Sequence, residues 1–283
     1  MDKVIYKGKI RDGKPGEFSA KDYEVLYNEE KKYAYLSEFP EIDYVGDTYR
    51  KLVNDSEMVE DYFKAHDSQQ PGYYKFIQPH YKRGMIVADC GCGGGAMLDL
   101  LKGFAKQTLA IEPFLGYHPS LQERGHITFP SVEGALEDGW KGKVNLALSI
   151  HVIEHTPDVM AYLKSIYDLL DEGGTAIIFT PNLNDLLMEL RPDVYEPFFY
   201  KTVHNYYFSG ESLEILGKDA GFKEGNAFYY QEFGLSNTFF WLKDGVARSQ
   251  ARFGCVNDKI DAAWITHIEE TGRAYNVGVV LKK

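Results

Sequence analysis

The chain is poor in the features of secreted or membrane-spanning proteins. It has 3 cysteines in 283 residues. A sparse, odd set builds no disulfide framework and points to a reducing compartment. No apolar run reaches the roughly 18 residues a spanning helix needs, and nothing resembles a signal peptide. The expectation is a cytoplasmic protein with no membrane span. Basic residues are in the minority, 31 Lys and Arg against 42 Asp and Glu, for a formal net charge of −11. Phosphate backbones are held by clustered Lys and Arg, so no nucleic-acid partner is expected. Repeats and low-complexity tracts are absent. What is present is a hydrophobic fraction of 44%, enough for a sizeable core, and 14% aromatics with 21 tyrosines. The length fits one α/β domain with additions, or two small domains. Many aromatics fall outside the regular βα stretch, which points to a wide, partly aromatic substrate pocket.

The chain is organised around Ile86-Val87-Ala88-Asp89-Cys90-Gly91-Cys92-Gly93-Gly94-Gly95. Apolar residues run into an acid, the acid opens a glycine-rich turn, and Ala96 to Leu101 reads as a helix. Glycines reach backbone angles closed to other residues and let a ligand lie against the main chain. The helix start offers free N–H groups. Strand, tight loop and helix together predict a nucleotide-type pocket at the carboxyl end of a parallel strand.

Before this stretch, residues 1–54 are polar, tyrosine-rich and weakly periodic, with a turn at Asp12 to Gly16 and an ordered loop at Asp43 to Arg50. Helices are expected at Ser56 to His66 and at about Tyr73 to Lys82. From Met85 the pattern alternates: strands at 85–90, 108–111, 126–129, 144–149 and 175–180. An acidic loop at Val132 to Asp138 follows the third strand. Thr156-Pro157-Asp158 starts a helix that Gly173-Gly174 stops. Such alternation implies a mostly parallel sheet with helices on both faces. Residues 183–208 read as a long, aromatic, irregular segment, the kind usually tied to function. A helix at about Glu211 to Ala220, strands at Phe222 to Tyr230 and Tyr275 to Leu281, and an insert at 234–272 complete the chain. The expected organisation is an N-terminal extension or cap over 1–83 and a cofactor-binding domain over 84–283. Segments 183–208 and 234–272 cap the substrate, or the insert serves a contact between subunits of a homodimer.

Four stations close successive strands: Asp89 with its glycines, Glu112, the loop Gly134-Ala135-Leu136-Glu137-Asp138, and His151-Val152-Ile153-Glu154-His155. An acid such as Glu112 can accept from both ribose hydroxyls. This ordered set resembles the class I S-adenosylmethionine-dependent methyltransferases, in particular the small-molecule branch with the ubiquinone-pathway and sugar-modifying enzymes. The likeness extends to Gly173-Gly174, Thr180-Pro181-Asn182 and Phe208-Ser209-Gly210-Glu211-Ser212-Leu213, and covers about residues 85–230. It implies a Rossmann-like fold with a seven-stranded sheet, S-adenosylmethionine as cofactor and S-adenosylhomocysteine as product. It implies cofactor contacts from Asp89, Gly91, Cys92, Gly93, Glu112, Pro113, Ala135, Leu136, Ser149 and His151. The residues agree with it. An acid at Asp89 would repel a pyrophosphate but tolerates a ligand with an ammonium and a sulfonium, and the glycine spacing is not that of a dinucleotide site.

His-x-x-Glu-His is also a zinc-peptidase pattern, but that use needs a helix, and here the segment follows a strand, so no metal is expected. Methylation of an oxygen with a high pKa calls for a general base, and His151 and His204 are the candidates. Tyr73, Tyr200 and Tyr206 are candidate pocket walls. The expected acceptor is a small polar molecule such as a sugar nucleotide, a surface-glycan precursor or a secondary metabolite. A phenolic or quinone precursor and a small amine are the alternatives within the class. An NAD-dependent oxidoreductase and a non-catalytic nucleotide-binding module are the alternatives outside it.

Overall fold

The computed structural model describes residues 2–46, 48–53, 58–248 and 251–283. Asp47 in the expected 43–50 loop, Ser56 at the expected helix start and residues 249–250 of the insert lie outside them. The chain falls into two compact units. The first comprises Met1–Pro40, Thr180–Leu213 and Ala227–Gly278; the second comprises Glu41–Phe179, Glu214–Asn226 and Val279–Lys283. The division therefore does not follow a single linear boundary near residue 83.

In chain order, strands β1 (Lys3–Gly8), β2 (Tyr23–Asn28) and β3 (Tyr33–Leu36) open the first unit. The second unit begins with helices α1 (Thr48–Val53), α2 (Val59–His66) and α3 (Gln70–Ile77). It continues through β4 (Ile86–Cys90), α4 (Ala96–Leu101), β5 (Gln107–Ile111), α5 (His118–Glu123) and β6 (Ile127–Phe129). Then come α6 (Val132–Ala135), β7 (Val144–Ile150), α7 (Val159–Leu169) and β8 (Leu170–Pro181). The first unit resumes with α8 (Leu186–Leu190), α9 (Pro192–Phe199) and β9 (Tyr206–Tyr207). Last are α10 (Gly210–Ala220), β10 (Glu224–Tyr230), α11 (Leu235–Asp244), α12 (Asp258–Glu270) and β11 (Asn276–Lys282).

The larger sheet has the order β10-β11-β8-β7-β4-β5-β6. Pairing is parallel from β8 through β7, β4 and β5 to β6. This is the mostly parallel seven-stranded sheet expected. Its inner strand β4 is buried almost throughout because helices cover both faces. α4 buries Ala96, Met97, Leu98 and Leu101, each Leu contributing roughly 1.5–3 kcal/mol. The chain runs from β4 outward to β6, then returns to the other side of β4 as β7. That reversal opens a crevice at the strands' carboxyl ends.

Several local expectations change. The N-terminal residues are not only a helical extension: β1, β2 and β3 pair antiparallel and β3 pairs with β9 in a second sheet. The β2–β3 turn closes because Asn28 Oδ1 accepts the N–H groups of Glu30 and Lys31. The helix begun near Thr156 is capped by Asp158, whose side chain accepts from Met160 and Ala161. Thr156 instead donates its hydroxyl to Ile153. Gly173-Gly174 does not stop that helix. The chain turns to strand at Leu170, and β8 runs through the glycines, with a register shift against β7 absorbing the mismatch. Residues 183–208 are largely ordered as α8, α9 and β9.

In the first unit, Tyr195, Phe199, Tyr200, Tyr207 and Trp241 pack with Ile10, Val25 and Leu36 in one buried cluster.

Candidate active site

Within the second unit, a cavity of about 590 Å³ opens at the carboxyl ends of β4, β5 and β7. It brings together Tyr73, Asp89, Gly91, Cys92, Gly93, Glu112, Pro113 and His151. Gly91 and Gly93 have φ of +87° and +55°, a region that L side chains rarely adopt. A Cβ on Gly91 would come 2.3 Å from a Val152 methyl, and one on Gly93 would come 2.5 Å from the Tyr62 hydroxyl. The loop is glycine because it turns left-handed under side chains that lie directly on it.

Two buried carboxylates stand at the ends of adjacent strands, close enough for Glu112's charge to act on Asp89. Asp89 is 3% exposed, and among the described residues its Oδ1 has no hydrogen-bond partner. Burial, and then the charge of Glu112, push its pKa up to about 7. Glu112 is equally buried but engaged on both oxygens. Its Oε2 accepts from the Gly93 N–H at 2.9 Å; its Oε1 accepts from the Phe114 N–H at 3.0 Å and from Arg50 Nη2 at 2.9 Å. A buried carboxylate oxygen without a donor is costly. Such an oxygen at the edge of a cavity fits a ligand that brings a cation or an N–H, as the ammonium of S-adenosylmethionine would.

His151 follows β7 with φ of +55°, a strained conformation for a residue with a Cβ. Its backbone N–H is tied to Phe179 O at 2.9 Å. Its Nε2 lies 3.0 Å from the Tyr73 hydroxyl and its Nδ1 lies 3.3 Å from Glu154 Oε1. Glu154 is 1% exposed. Burial alone would raise its pKa, but the hydrogen bond from His151 and the neighbouring His155 and His151 imidazoles outweigh it and hold Glu154 low. The result is a buried, ionised acid, an imidazole and a phenol in a line that ends in the cavity.

Other expected residues stand elsewhere. Ser149 is buried and shares a 2.9 Å hydrogen bond with Tyr162, which does line the cavity. The acidic loop after β6 is instead a short helix, α6, capped by the Ser131 hydroxyl on the Gly134 N–H. That winding turns Ala135 into the core and leaves Pro130, Ser131, Val132 and Glu133 as the wall. Leu136 opens the π-helical turn Leu136–Trp140 that follows. Tyr200 and Tyr206 belong to the first unit. Tyr200 is 1% exposed in its aromatic core, between Tyr6, Phe199 and Tyr207. Tyr206 pairs with Tyr35 in the antiparallel sheet and stacks on Phe208. His204 is buried in the same unit, its ring 6.0 Å from Tyr207.

Sequence reasoning missed Arg50, Tyr44, Tyr49 and Tyr62, which line the cavity from the segment ahead of β4. The ordered loop, the helices leading into β4 and the tyrosine density pointed to the segment, not to these side chains. Arg50 is 6% exposed, with its guanidinium carbon 4.5 Å from the Tyr117 ring centroid and 5.0 Å from that of Phe114.

A model of the Methyltransferase domain family matches residues 70–224, more than half the chain. A ubiquinone biosynthesis O-methyltransferase from Ruegeria pomeroyi is 27% identical over 111 residues, which are 36% of this chain and 43% of that protein. A tRNA U34 carboxymethyltransferase from a Sulfurovum species is 24% identical over 129 residues, 43% of either chain. The chain thus spans under half the length of these curated relatives. Among solved structures, a SAM-dependent methyltransferase from Archaeoglobus fulgidus superposes with a TM-score of 0.53 at 17% identity, covering 79% of this chain and 97% of that one. One from Thermotoga maritima gives 0.52 at 18%, covering 79% and 93%. Both likenesses concern the fold.

Proposed function

The chain belongs to the methyltransferase-domain family, with the class I S-adenosylmethionine-dependent fold, and from that premise we propose that it is an enzyme that methylates an oxygen of a small polar acceptor. The observation that best supports this is the pair of strand-end carboxylates by the glycine loop, Asp89 with a buried oxygen unpartnered among the described residues and Glu112 just past the next strand. When bound, S-adenosylmethionine supplies a methyl group on a sulfonium, open to displacement by a nucleophile. Asp89 would pair with the ammonium. Glu112 would hold the ribose hydroxyls, with Gly91, Cys92, Gly93 and Pro113 alongside. Ser149, Ala135 and Leu136 would support that wall from behind.

His151 is the proposed base. Glu154 orients the imidazole through its contact with Nδ1. The Tyr73 hydroxyl on Nε2 marks where an acceptor hydroxyl would meet the ring, or carries its proton to the ring. Aromatic walls from Tyr44, Tyr49, Tyr62 and Tyr73 align the acceptor and exclude water, which alone accounts for much of a displacement's rate. His204 stays a second proposed base.

A sugar nucleotide, a surface-glycan precursor or a secondary metabolite is the acceptor class proposed. A phenolic or quinone precursor is the second reading, favoured by the aromatic walls and by the O-methyltransferase named above. Among the described residues no helix is long and apolar enough to cross a membrane; a cytoplasmic location and a homodimer belong to the proposal.

The test is calorimetric titration with S-adenosylmethionine and S-adenosylhomocysteine, with NAD as control. Micromolar binding of the first two, lost in Glu112→Ala, is expected; binding of NAD alone, or of none, overturns the cofactor. An acceptor screen beginning with nucleotide sugars follows. On the acceptor found, His151→Ala lowers turnover by about 10²- to 10⁴-fold, and unchanged turnover removes His151 as the base.

A further inference from the structure

Glu112 is nearly saturated. A carboxylate offers about four lone-pair directions. Three are taken, by Gly93 N–H, Phe114 N–H and Arg50 Nη2. One remains, whereas a two-point grip on a ribose needs two, one for each neighbouring hydroxyl. The Gly93 and Phe114 donors are main-chain groups of the glycine loop and of the turn after β5, and they cannot withdraw without undoing those turns. Arg50 is a side chain on α1, with several rotatable bonds. It lies outside residues 70–224, the stretch that the family model covers.

We infer that Arg50 competes with the cofactor's ribose for Glu112, and that cofactor entry displaces it; this rests on the cofactor assignment above. Arg50 is an internal placeholder. Its guanidinium neutralises Glu112 and packs against the Phe114 and Tyr117 rings. Without it Glu112 and Asp89 would stand at adjacent strand ends as two buried carboxylates. S-adenosylmethionine carries an ammonium and a sulfonium, so it brings replacement positive charge as Arg50 leaves. S-adenosylhomocysteine has lost the sulfonium and brings less. The exchange therefore favours the methyl donor over the product, a bias set by a residue that touches neither the methyl group nor the acceptor.

The test compares Arg50→Gln with wild type by calorimetric titration, using S-adenosylhomocysteine and its 2′-deoxy analogue. The expected result is about tenfold or more tighter binding of S-adenosylhomocysteine to Arg50→Gln, the scale of one hydrogen bond to a charged group. The 2′-deoxy analogue, which asks for one acceptor site only, gains little. Unchanged or weaker binding of S-adenosylhomocysteine overturns the competition and makes Arg50 a support for Glu112. Equal gains for both ligands overturn it too, since a merely loosened pocket treats them alike. Arg50→Lys, which keeps the charge but not the fork, should fall between; if Arg50→Gln does not fold, the same two-ligand comparison on Arg50→Lys decides. Failure of wild type to bind S-adenosylhomocysteine overturns the cofactor assignment itself, and this inference with it.

Discussion

Each unit buries an aspartate, and the two are used differently. Asp185 in the first unit caps α8, accepting from the Leu187 N–H at 2.8 Å and the Tyr195 hydroxyl at 2.6 Å. Burial raises its pKa to about 6, with both hydrogen bonds pulling it back. Asp89 in the second unit is raised to about 7 and has a buried oxygen with no donor among the described residues. The first carboxylate is solved by its own chain. The second is left for something else to solve, beside a cavity of about 590 Å³, against about 130 Å³ for the hollow next to Asp185. A raised pKa is thus common to both, and hydrogen-bond satisfaction separates Asp185 from Asp89, the acid proposed to meet a ligand.

The contrast is sharpest under paired substitution. Asp89→Ala should weaken S-adenosylmethionine binding by about a hundredfold without lowering the free energy of unfolding, because it removes an unsatisfied buried group. Asp185→Ala should leave the affinity alone and cost about 2–4 kcal/mol of stability, through a lost cap and an orphaned tyrosine. Calorimetry and denaturant unfolding on both variants measure this. Equal destabilisation by the two would make Asp89 structural and end the comparison.

A smaller effect distinguishes the glycine loop from an ordinary turn. Gly91→Ala pays for a left-handed backbone and for a Cβ 2.3 Å from Val152, about 2–5 kcal/mol together. Gly84→Ala has a similar φ of +84° but nothing within 4 Å, so about 1–2 kcal/mol is expected. Urea unfolding compares them; equal losses would show that Val152 yields.

The smallest effect is in pH. A ligand ammonium pairs with ionised Asp89, and the ionised fraction falls below the folded pKa of about 7. S-adenosylmethionine affinity should therefore rise by up to about tenfold per unit toward pH 7 and then level off. Asp89→Asn should flatten the profile. For the fold itself the sign is opposite. The folded pKa lies above the ordinary value of an aspartate, so the stability that protonated Asp89 contributes is present at low pH and lost as pH rises through about 7. A pH-independent affinity in wild type would show that Asp89 does not meet the ligand's charge.

The second unit was legible in order because its signals are local. An apolar run into Asp89 and crowded glycines can form little but strand, turn and helix. The first unit was not. Its β1–β3 sheet alternates poorly, with mostly half-buried residues in β2, and β3 finds its partner β9 some 170 residues later. Aromatic content carries no direction, so the sequence could not say that Tyr200 packs in the first unit's core and Tyr206 in its antiparallel sheet. Ala135 is buried on a short helix capped by Ser131, where a loop was expected.

By itself, the sequence determined the sheet's strand succession, the glycine loop, the two strand-end acids and the family likeness, since each depends on neighbours in the chain. Only the tertiary structure decided which acid is satisfied and which is not, what stands on His151, and that Arg50 from α1 holds Glu112. Those outcomes depend on side chains brought together from distant positions, Arg50 and Glu112 being 62 residues apart. No local pattern encodes such a meeting, because burial against a particular partner sets its energy.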